Sequence, residues 1–216
     1  GVEPDRIAMG GVGVRPDEVT PCKRGIWRAQ FGIPEDAFAL LFLGRRASYK
    51  GLDTLLEAYM RLRTSHPATV LLLAGPSTPD WEALRVRYED APGILDYGRV
   101  SDEDKARILD ACDVLVLPST GESFGIVLIE AWMLGKPVIG ARSGALAEMI
   151  TEGRDGFLIT PGDAEGLAAR LRALADNPPL RQRLGEQGFY KAMTRYTLER
   201  VTDDMERVYA QLVEQR

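Results

Sequence analysis

From residue 38 onward, the chain alternates short apolar runs with amphipathic segments, and this alternation constrains the fold more than any other feature. The runs are four to six residues long and largely apolar, which is typical of strands buried on both faces of a parallel sheet. We predict strands over 38–43, 69–74, 94–97, 114–117, 137–140 and 156–159.

Helical spacing of apolar residues fills the intervals between these runs. Ser101 stands three residues before Asp104, which indicates a capped helix start, because early acceptors and carboxylates suit the positive end of a helix. We predict helices over 52–62, 79–88, 101–111, 124–134, 145–150, 163–175, 178–193 and 198–214. The order of elements predicts an α/β fold: one doubly wound, parallel, six-stranded, Rossmann-like sheet with a C-terminal helical extension.

The pattern divides the chain into three parts: a connecting segment over 1–30, a Rossmann-like domain over 31–195 and a final helix over 196–216. An extra strand near 6–9 is left open. The final helix has one apolar side, formed by Val201, Met205, Val208, Tyr209 and Leu212. That side packs either on its own domain or on a partner domain, and the sequence leaves both open. The start on Gly1 without Met is what we expect of a fragment.

Composition excludes several functions. A net charge of −5 and a pI near 5.1 argue against a broad surface for nucleic acid or anionic membranes. No apolar run is long enough for a transmembrane segment and no signal peptide is visible, so we expect a cytoplasmic protein. Cys22 and Cys112 lie outside any C-x-x-C pair and are predicted to be reduced thiols.

Other chemistries lack their residues. The single histidine, His66, is predicted to lie on the surface, so a His-based triad or a zinc site is not expected within this chain. The chain has no P-loop motif and no complete G-x-G-x-x-G fingerprint after the first strand. The run Asp102-Glu103-Asp104 belongs to a predicted helix start, and no D-x-D run suggests a divalent metal, so protein cations would have to neutralise any bound phosphates.

Glu122 and Glu130 are the first candidate site residues. Seven residues separate them, and they belong to the turn and the first helical turns that follow the 114–117 run. Ligands of α/β sheets bind at the carboxyl ends of strands, and a helix start there favours an anion such as phosphate. Carboxylates beside that anion could hold hydroxyl groups, so the arrangement predicts a site for a nucleotide or a sugar phosphate.

Arg45 and Lys50 form a second cluster, directly after the first strand. One arginine and one lysine can neutralise a diphosphate, the first through planar paired donors and the second as a point charge. Loop charges are commonly surface residues, but two clusters at two strand ends favour a binding site. For Glu130, which falls within an apolar helix, a structural ion pair and a grip on ribose hydroxyls are equally supported by the residues.

Two further segments follow strands. Ser143, Gly144 and Ala145 open a helix, and a tight helix entry is the favoured interpretation over ligand contact. Tyr97 to Val100 could border a flat base, although packing at the sheet edge is slightly favoured.

Taken together, these residues resemble the C-terminal, nucleotide-sugar-binding domain of GT-B-fold retaining glycosyltransferases of family 4. The resemblance covers about 38–165, and its ordered pieces are highly specific as a set. They are Gly44-Arg45 with Lys50-Gly51, Gly98-Arg99-Val100, Pro118-Ser119 with Glu122 to Gly125 and Glu130-Ala131, Gly135 to Val138, and Asp155 to Leu158 with Pro161 to Asp163.

The resemblance implies a role for each piece. Arg45 and Lys50 would bind the donor diphosphate and stabilise the departing nucleoside diphosphate, and Glu122 would lie by the donor sugar, with its chemical role left open. Glu130 would hold the ribose, while Arg99 and Val100 would border the base. The implied donor-binding set is Arg45, Lys50, Arg99, Val100, Glu122, Ser123, Phe124, Gly125, Ile126 and Glu130, and Arg45, Lys50 and Glu122 would be catalytic.

The resemblance also implies the partners. The donor would be a UDP-, GDP- or ADP-sugar, no metal or other cofactor would be needed, and an N-terminal domain absent from this chain would bind the acceptor. The last helix would cross to that domain, and the full-length enzyme could be peripheral to a membrane. Ala145 departs from a glycine that is common in the family, so its donor contact is in doubt, and no role is assigned to 8–12.

Three functions stay open from the sequence. The first is the donor-binding half of a retaining glycosyltransferase, inactive alone. The second is a GT-B-like nucleotide-sugar 2-epimerase, against which the single His66 argues. The third is a non-catalytic module that binds nucleotide sugars.

Overall fold

The computed structural model of the protein describes residues 11–19 and 24–214. The strand left open near 6–9 and Cys22 lie outside the described residues. Burial raises the pKa of the Cys112 thiol to about 12, so this side chain stays protonated and unreactive at neutral pH.

A six-stranded, all-parallel sheet forms the centre of the domain, in the order β3-β2-β1-β4-β5-β6. The strand order reverses between β1 and β4, so the sheet is doubly wound as the sequence predicts. The strands are β1 (Phe38–Leu43), β2 (Thr69–Ala74), β3 (Ile94–Gly98), β4 (Val114–Leu117), β5 (Val138–Ala141) and β6 (Gly156–Ile159).

Nine α-helices lie in the described part of the chain. Ser101 caps α4 as predicted, since its side chain accepts the N–H of Asp104 at 3.1 Å. The helices are α1 (Arg24–Gln30), α2 (Leu52–Arg63), α3 (Pro79–Arg85), α4 (Asp102–Ala111), α5 (Ile126–Met133), α6 (Gly144–Met149), α7 (Ala164–Asp176), α8 (Pro178–Arg195) and α9 (Leu198–Glu214).

Helix α5 begins two residues later than the sequence predicts. Gly125 precedes it with φ 64° and ψ 46°, a left-handed conformation that no helical residue adopts. Phe124 therefore lies before the helix instead of within it. The start of α5 consequently stands next to a turn that only glycine tolerates without strain.

Helix α1 is absent from the sequence prediction, which gives only a connecting segment over 1–30. The helix packs beside α4 through Arg28, whose side chain is 2% exposed. Arg28 donates to the carbonyls of Pro34, Ala37 and Ala111 and to the carboxylate of Asp113. A buried arginine does not register as an apolar position, so the hydrophobic period of this helix is too weak to recognise.

Two hydrophobic cores cover the two faces of the sheet. Alternate residues of each strand point to opposite faces, so Leu41 belongs to the core under α4 and α5, while Leu40 belongs to the core under α2 and α7. This explains the continuous apolar runs in the sequence. Five strands are buried on both faces and need no polar residue for solvent, whereas the edge strand β3 is half-buried and exposes Asp96.

Helix α8 approaches α5 closely at two glycines. A Cβ on Gly185 would lie 1.9 Å from the carbonyl oxygen of Gly135, and a Cβ on Gly188 would lie 2.0 Å from Cδ1 of Trp132. Trp132 is fully buried and donates its indole N–H to the carbonyl of Asp155 at 2.8 Å. The close approach therefore fixes the position of the end of α5 against β6.

Helix α9 keeps most of its apolar side uncovered by the described residues. Tyr209 is 61% exposed and Leu212 is 56% exposed, while Val201 and Met205 are half-buried. At its start the helix is joined to the N-terminal segment, because the N–H of Leu198 donates to the carbonyl of Val14 at 3.0 Å. Within the described residues, no helix has the length and apolarity that a membrane span requires.

We expect Gly188→Ala to destabilise the protein by about 1–3 kcal/mol, because the new methyl group overpacks the contact with Trp132. Urea unfolding followed by circular dichroism measures the change. Gly25→Ala is the matched control: this helical glycine has open space around it, so the substitution should be neutral or stabilising by up to about 1 kcal/mol. Equal stabilities of the two variants would contradict the close packing of α8.

Candidate active site

The candidate site lies where the sheet reverses its strand order. Helix α2 leads from β1 toward β2 on one side, and α5 leads from β4 toward β5 on the other. The loops 44–51 and 118–125 therefore diverge at the carboxyl ends of two adjacent strands. Such a divergence opens the crevice in which α/β proteins bind their ligands.

Backbone contacts lock these two loops together. The N–H and the hydroxyl of Thr120 both donate to the carbonyl of Tyr49, at 2.9 and 3.2 Å. Gly51 has φ 69°, and a Cβ there would lie 2.4 Å from the carbonyl oxygen of Pro118. The loop after β1 is thus held at a fixed distance from the loop after β4, without space for a side chain at Gly51.

The start of α6 forms hydrogen bonds to the loop 118–125. The hydroxyl of Ser143 donates to the carbonyl of Thr120 at 2.7 Å, and the N–H of Ala145 donates to the carbonyl of Glu122 at 3.4 Å. Gly144 has φ 51° and starts α6, as expected of a tight helix entry. Ala145 packs against the hydrophobic core, and we assign it no donor contact.

Lys50 and Glu122 form an ion pair in the crevice. The Nζ of Lys50 lies 2.5 Å from Oε1 of Glu122, and the two side chains are 12% and 13% exposed. The Ser119 hydroxyl donates to the same carboxylate oxygen at 3.1 Å. The sequence predicts both residues as site residues at two strand ends, and the fold brings their charged groups into contact. The partly buried pair therefore presents one cationic and one anionic group to a ligand, both already in position.

Arg45 and Arg46 are consecutive but have opposite environments. Arg45 is exposed and makes no hydrogen bond or ion pair with residues 11–19 or 24–214, so its guanidinium is available to a ligand. Arg46 is 2% exposed and donates to the carbonyl of Gly75 and to Asp96. Sequence reasoning missed Arg46. No local signal distinguishes the two arginines, because both follow the end of β1 and the alternation of strand side chains does not extend to them.

Glu130 is buried within α5 and pairs with Lys105 of α4, whose Nζ lies 2.7 Å from Oε1. The structural ion pair that the sequence left open is therefore present. The pair borders a cavity of about 470 Å³, which Leu109 and the acidic residues Asp102 and Glu103 also line. A hydroxyl-bearing ligand could reach the carboxylate from this cavity, so contact with ribose stays a prediction.

The turn after β3 combines packing with an exposed cation. Val100 packs against the hydrophobic core, while Arg99 is exposed and has no hydrogen-bond or ion-pair partner in the described part of the chain. Tyr97 donates its hydroxyl to the carbonyl of Phe31, and burial raises the pKa of Tyr97 to about 12. Tyr97 thus has the packing role that the sequence favoured, and Arg99 is left at the rim.

The residues before α5 present backbone to the crevice. Ser123 and Ile126 are exposed, Phe124 packs partly against the core, and Gly125 holds the left-handed turn. The first N–H groups of a helix lack partners within it and attract anions. Among the described residues, no cluster of three or more His, Cys, Asp or Glu side chains could hold a metal ion.

Known proteins share both sequence and fold with this chain. Residues 23–190 match the family model described as Glycosyl transferases group 1. A D-inositol 3-phosphate glycosyltransferase of Stackebrandtia nassauensis is 31% identical over 99% of this chain and 51% of that protein.

Solved structures agree with this assignment. Sucrose-phosphate synthase of Thermosynechococcus elongatus superimposes with a TM-score of 0.83 and 29% identity, over 95% of this chain and 52% of that chain. HepE of Anabaena, solved with UDP-glucose, superimposes with a TM-score of 0.81 and 22% identity, over 94% of this chain and 56% of that chain.

The chain spans about half the length of the curated relatives that it matches. In the related structures, the shared part is the Rossmann-like C-terminal half of a GT-B glycosyltransferase. Since the family model covers most of the chain and the curated relatives share about a third of its residues, the chain belongs to the glycosyl transferases group 1 family.

Proposed function

We propose that this chain is the donor-binding half of a retaining glycosyltransferase, which moves a sugar from a UDP-, GDP- or ADP-sugar to an acceptor. The observation that carries the proposal is the Lys50–Glu122 pair, 2.5 Å long, in the crevice between β1 and β4. Folds of this class bind nucleotides in that crevice. Membership of a family of glycosyl transferases supports sugar transfer as the chemistry of the site.

Lys50 and Arg45 stabilise the leaving group in this proposal. Transfer breaks the bond between the anomeric carbon and a diphosphate oxygen, so negative charge builds on the nucleoside diphosphate. The ammonium of Lys50 is largely shielded from water, where a charge-assisted contact is strong. The unengaged guanidinium of Arg45 adds two parallel donors from the same loop.

The start of α5 supplies neutral donors to the same anion. Ile126 is the first residue of the helix, and the left-handed Gly125 leaves no side chain before it. Backbone N–H groups near Phe124, Gly125 and Ile126 would contact the donor sugar and phosphate. Two cations and a helix start can neutralise a diphosphate, so we propose that donor binding needs no metal and no other cofactor.

Two carboxylates orient the remaining parts of the donor. Glu122 would accept hydroxyls of the donor sugar, with Ser123 beside it, and Glu130 would accept the ribose hydroxyls from the neighbouring cavity. Each acid is already paired with a lysine, Lys50 or Lys105, so its carboxylate is held in position before the donor arrives. Arg99 and Val100 would border the base.

The acceptor site belongs to an N-terminal domain in this proposal. The apolar side of α9 remains largely uncovered by the described residues, as expected of a helix that crosses to another domain. The chain alone should therefore bind a nucleoside diphosphate weakly and transfer nothing. We also propose that the complete enzyme works in the cytoplasm, as its donors would require.

Two alternatives predict different outcomes. A nucleotide-sugar 2-epimerase would give product from UDP-sugar without an acceptor, but His66 lies beside the start of β2, at the sheet edge opposite the crevice, and pairs with Asp176 at 2.9 Å. A non-catalytic binding module would bind donor and transfer nothing even within the full-length chain. Incubating the full-length chain with nucleotide sugar and acceptors, and following the anomeric signal by NMR, separates all three.

Lys50→Ala and Arg45→Ala should weaken binding of a nucleoside diphosphate by about 1.5–3 kcal/mol each, the worth of a charge-assisted hydrogen bond. Binding of the parent nucleoside should stay unchanged, because it lacks the diphosphate. Isothermal titration calorimetry measures both affinities for each variant.

Arg172→Ala is the matched control, since Arg172 is an exposed arginine of α7 without a hydrogen bond or ion pair to the described residues. Its removal makes the net charge of the chain more negative by the same amount and should leave both affinities unchanged. Equal losses for nucleoside and diphosphate in Lys50→Ala would refute the role assigned to this lysine.

Glu122→Gln should tighten the binding of a nucleoside diphosphate by about threefold to tenfold, which corresponds to about 0.7–1.4 kcal/mol. The carboxylate competes with the diphosphate for Lys50 and repels it, whereas the amide keeps the size and accepts hydrogen bonds without the charge. Calorimetric titration with and without added salt of about 0.5 M measures the effect. Salt at this concentration screens the interactions of charges that lie more than a few ångströms apart. Weaker binding in the variant would show that the pair does not compete with the anion.

A further inference from the structure

The side chain of Arg46 connects the carboxyl ends of three strands. It follows β1 by three positions, and its Nε and Nη2 donate to the carbonyl of Gly75, directly after β2, at 3.0 and 2.8 Å. Its Nη1 donates to Oδ2 of Asp96 in β3 at 2.6 Å. The guanidinium also lies 5.1 Å from the ring centroid of Trp81. The whole side chain is 2% exposed, and these contacts hold its guanidinium in one orientation.

Asp96 links Arg46 to the turn after β3. While Oδ2 accepts from Arg46, Oδ1 accepts the N–H of Gly98 at 2.9 Å. Gly98 has φ 60°, and its carbonyl accepts the N–H of Gly75 at 2.6 Å. The orientation of the following Arg99 therefore depends on a carboxylate that Arg46 holds in place.

The backbone of Arg46 is equally constrained. Its N–H donates to the carbonyl of Pro76 at 3.0 Å, and its carbonyl accepts the hydroxyl of Thr78. Because Arg45 is the preceding residue and points to the exposed side, fixing Arg46 also fixes the Cα of Arg45. One buried residue thus determines the positions of both exposed arginines of the crevice, Arg45 and Arg99.

We propose that Arg46 is a positioning residue that couples the loop 44–51, which would bind the diphosphate, to the turn 97–100, which would border the base, so that the two parts of the nucleotide bind cooperatively. The inference rests on the proposed function. A loop that is already ordered loses less conformational freedom when it binds, which strengthens binding without a new contact to the ligand. Lysine cannot replace Arg46, because a single ammonium lacks the planar fork that reaches Gly75 and Asp96 together.

Arg46→Lys, titrated with UDP, GDP and ADP well below its unfolding midpoint, tests the proposal. We expect the Kd of the bound diphosphate to rise about tenfold, near the ordering cost of one side chain. Asp96→Ala should have a similar effect, and the double variant should lose little more, because both changes break one chain of contacts. Unchanged Kd values in Arg46→Lys, or additive losses in the double variant, would overturn the coupling.

Arg63→Lys is the matched control. Arg63 is a half-buried arginine that donates to the carbonyl of Thr69 at 2.5 Å and lies 5.8 Å from the ring of Tyr59, but at the amino end of β2. Its substitution should lower the melting temperature without changing the Kd. A rise in Kd equal to that of Arg46→Lys would mean that a general loss of rigidity raises the Kd of both variants, and it would overturn the coupling.

Amide hydrogen exchange, measured without ligand, tests the positioning role of Arg46 independently of donor binding. Arg46→Lys should speed the exchange of residues 97–100 and 44–51, while Arg63→Lys should leave both segments protected. If the unsubstituted protein binds no nucleotide, the proposed function fails, but this exchange pattern still decides whether Arg46 orders the two segments. Unchanged exchange in both would overturn the positioning role.

Discussion

The contact between the loop after β1 and the loop after β4 determines the geometry of the candidate site. The strand order reverses there, and the two helices that follow diverge and leave a crevice. Thr120 donates twice to the carbonyl of Tyr49, and Gly51 touches Pro118 with no space for a Cβ. Lys50 stands between Tyr49 and Gly51, so the loop contact places its ammonium against Glu122.

Both candidate carboxylates are paired before any ligand binds. Glu122 and Glu130 each hold a lysine from another element, Lys50 after β1 and Lys105 of α4. Pairing offsets the cost of burying each carboxylate. An arriving diphosphate must compete for Lys50, whereas Arg45 is already available to it. An acidic protein can therefore hold an anion site without a broad basic surface.

The sequence predicts the sheet well because five of its six strands are buried on both faces and only the edge strand β3 is half-buried. Strands β1, β2, β4 and β6 lie where the apolar runs predict them, residue for residue. Contacts across the fold could not be read from local pattern: Lys105 as the partner of Glu130, and Arg46 as the link between three loops. Helix α1 was missed because its inward residue is Arg28, whose burial depends on carbonyls that only the folded chain assembles.

The central claim is that this crevice binds a nucleoside diphosphate through protein groups alone. Calorimetric titration of the unsubstituted chain with UDP, GDP and ADP in the presence of EDTA tests it most directly. The account predicts that one of the three diphosphates binds in EDTA, with an affinity that added magnesium does not raise and that its nucleoside does not match. Binding that appears only with magnesium, or nucleoside and diphosphate affinities that are equal, would contradict it.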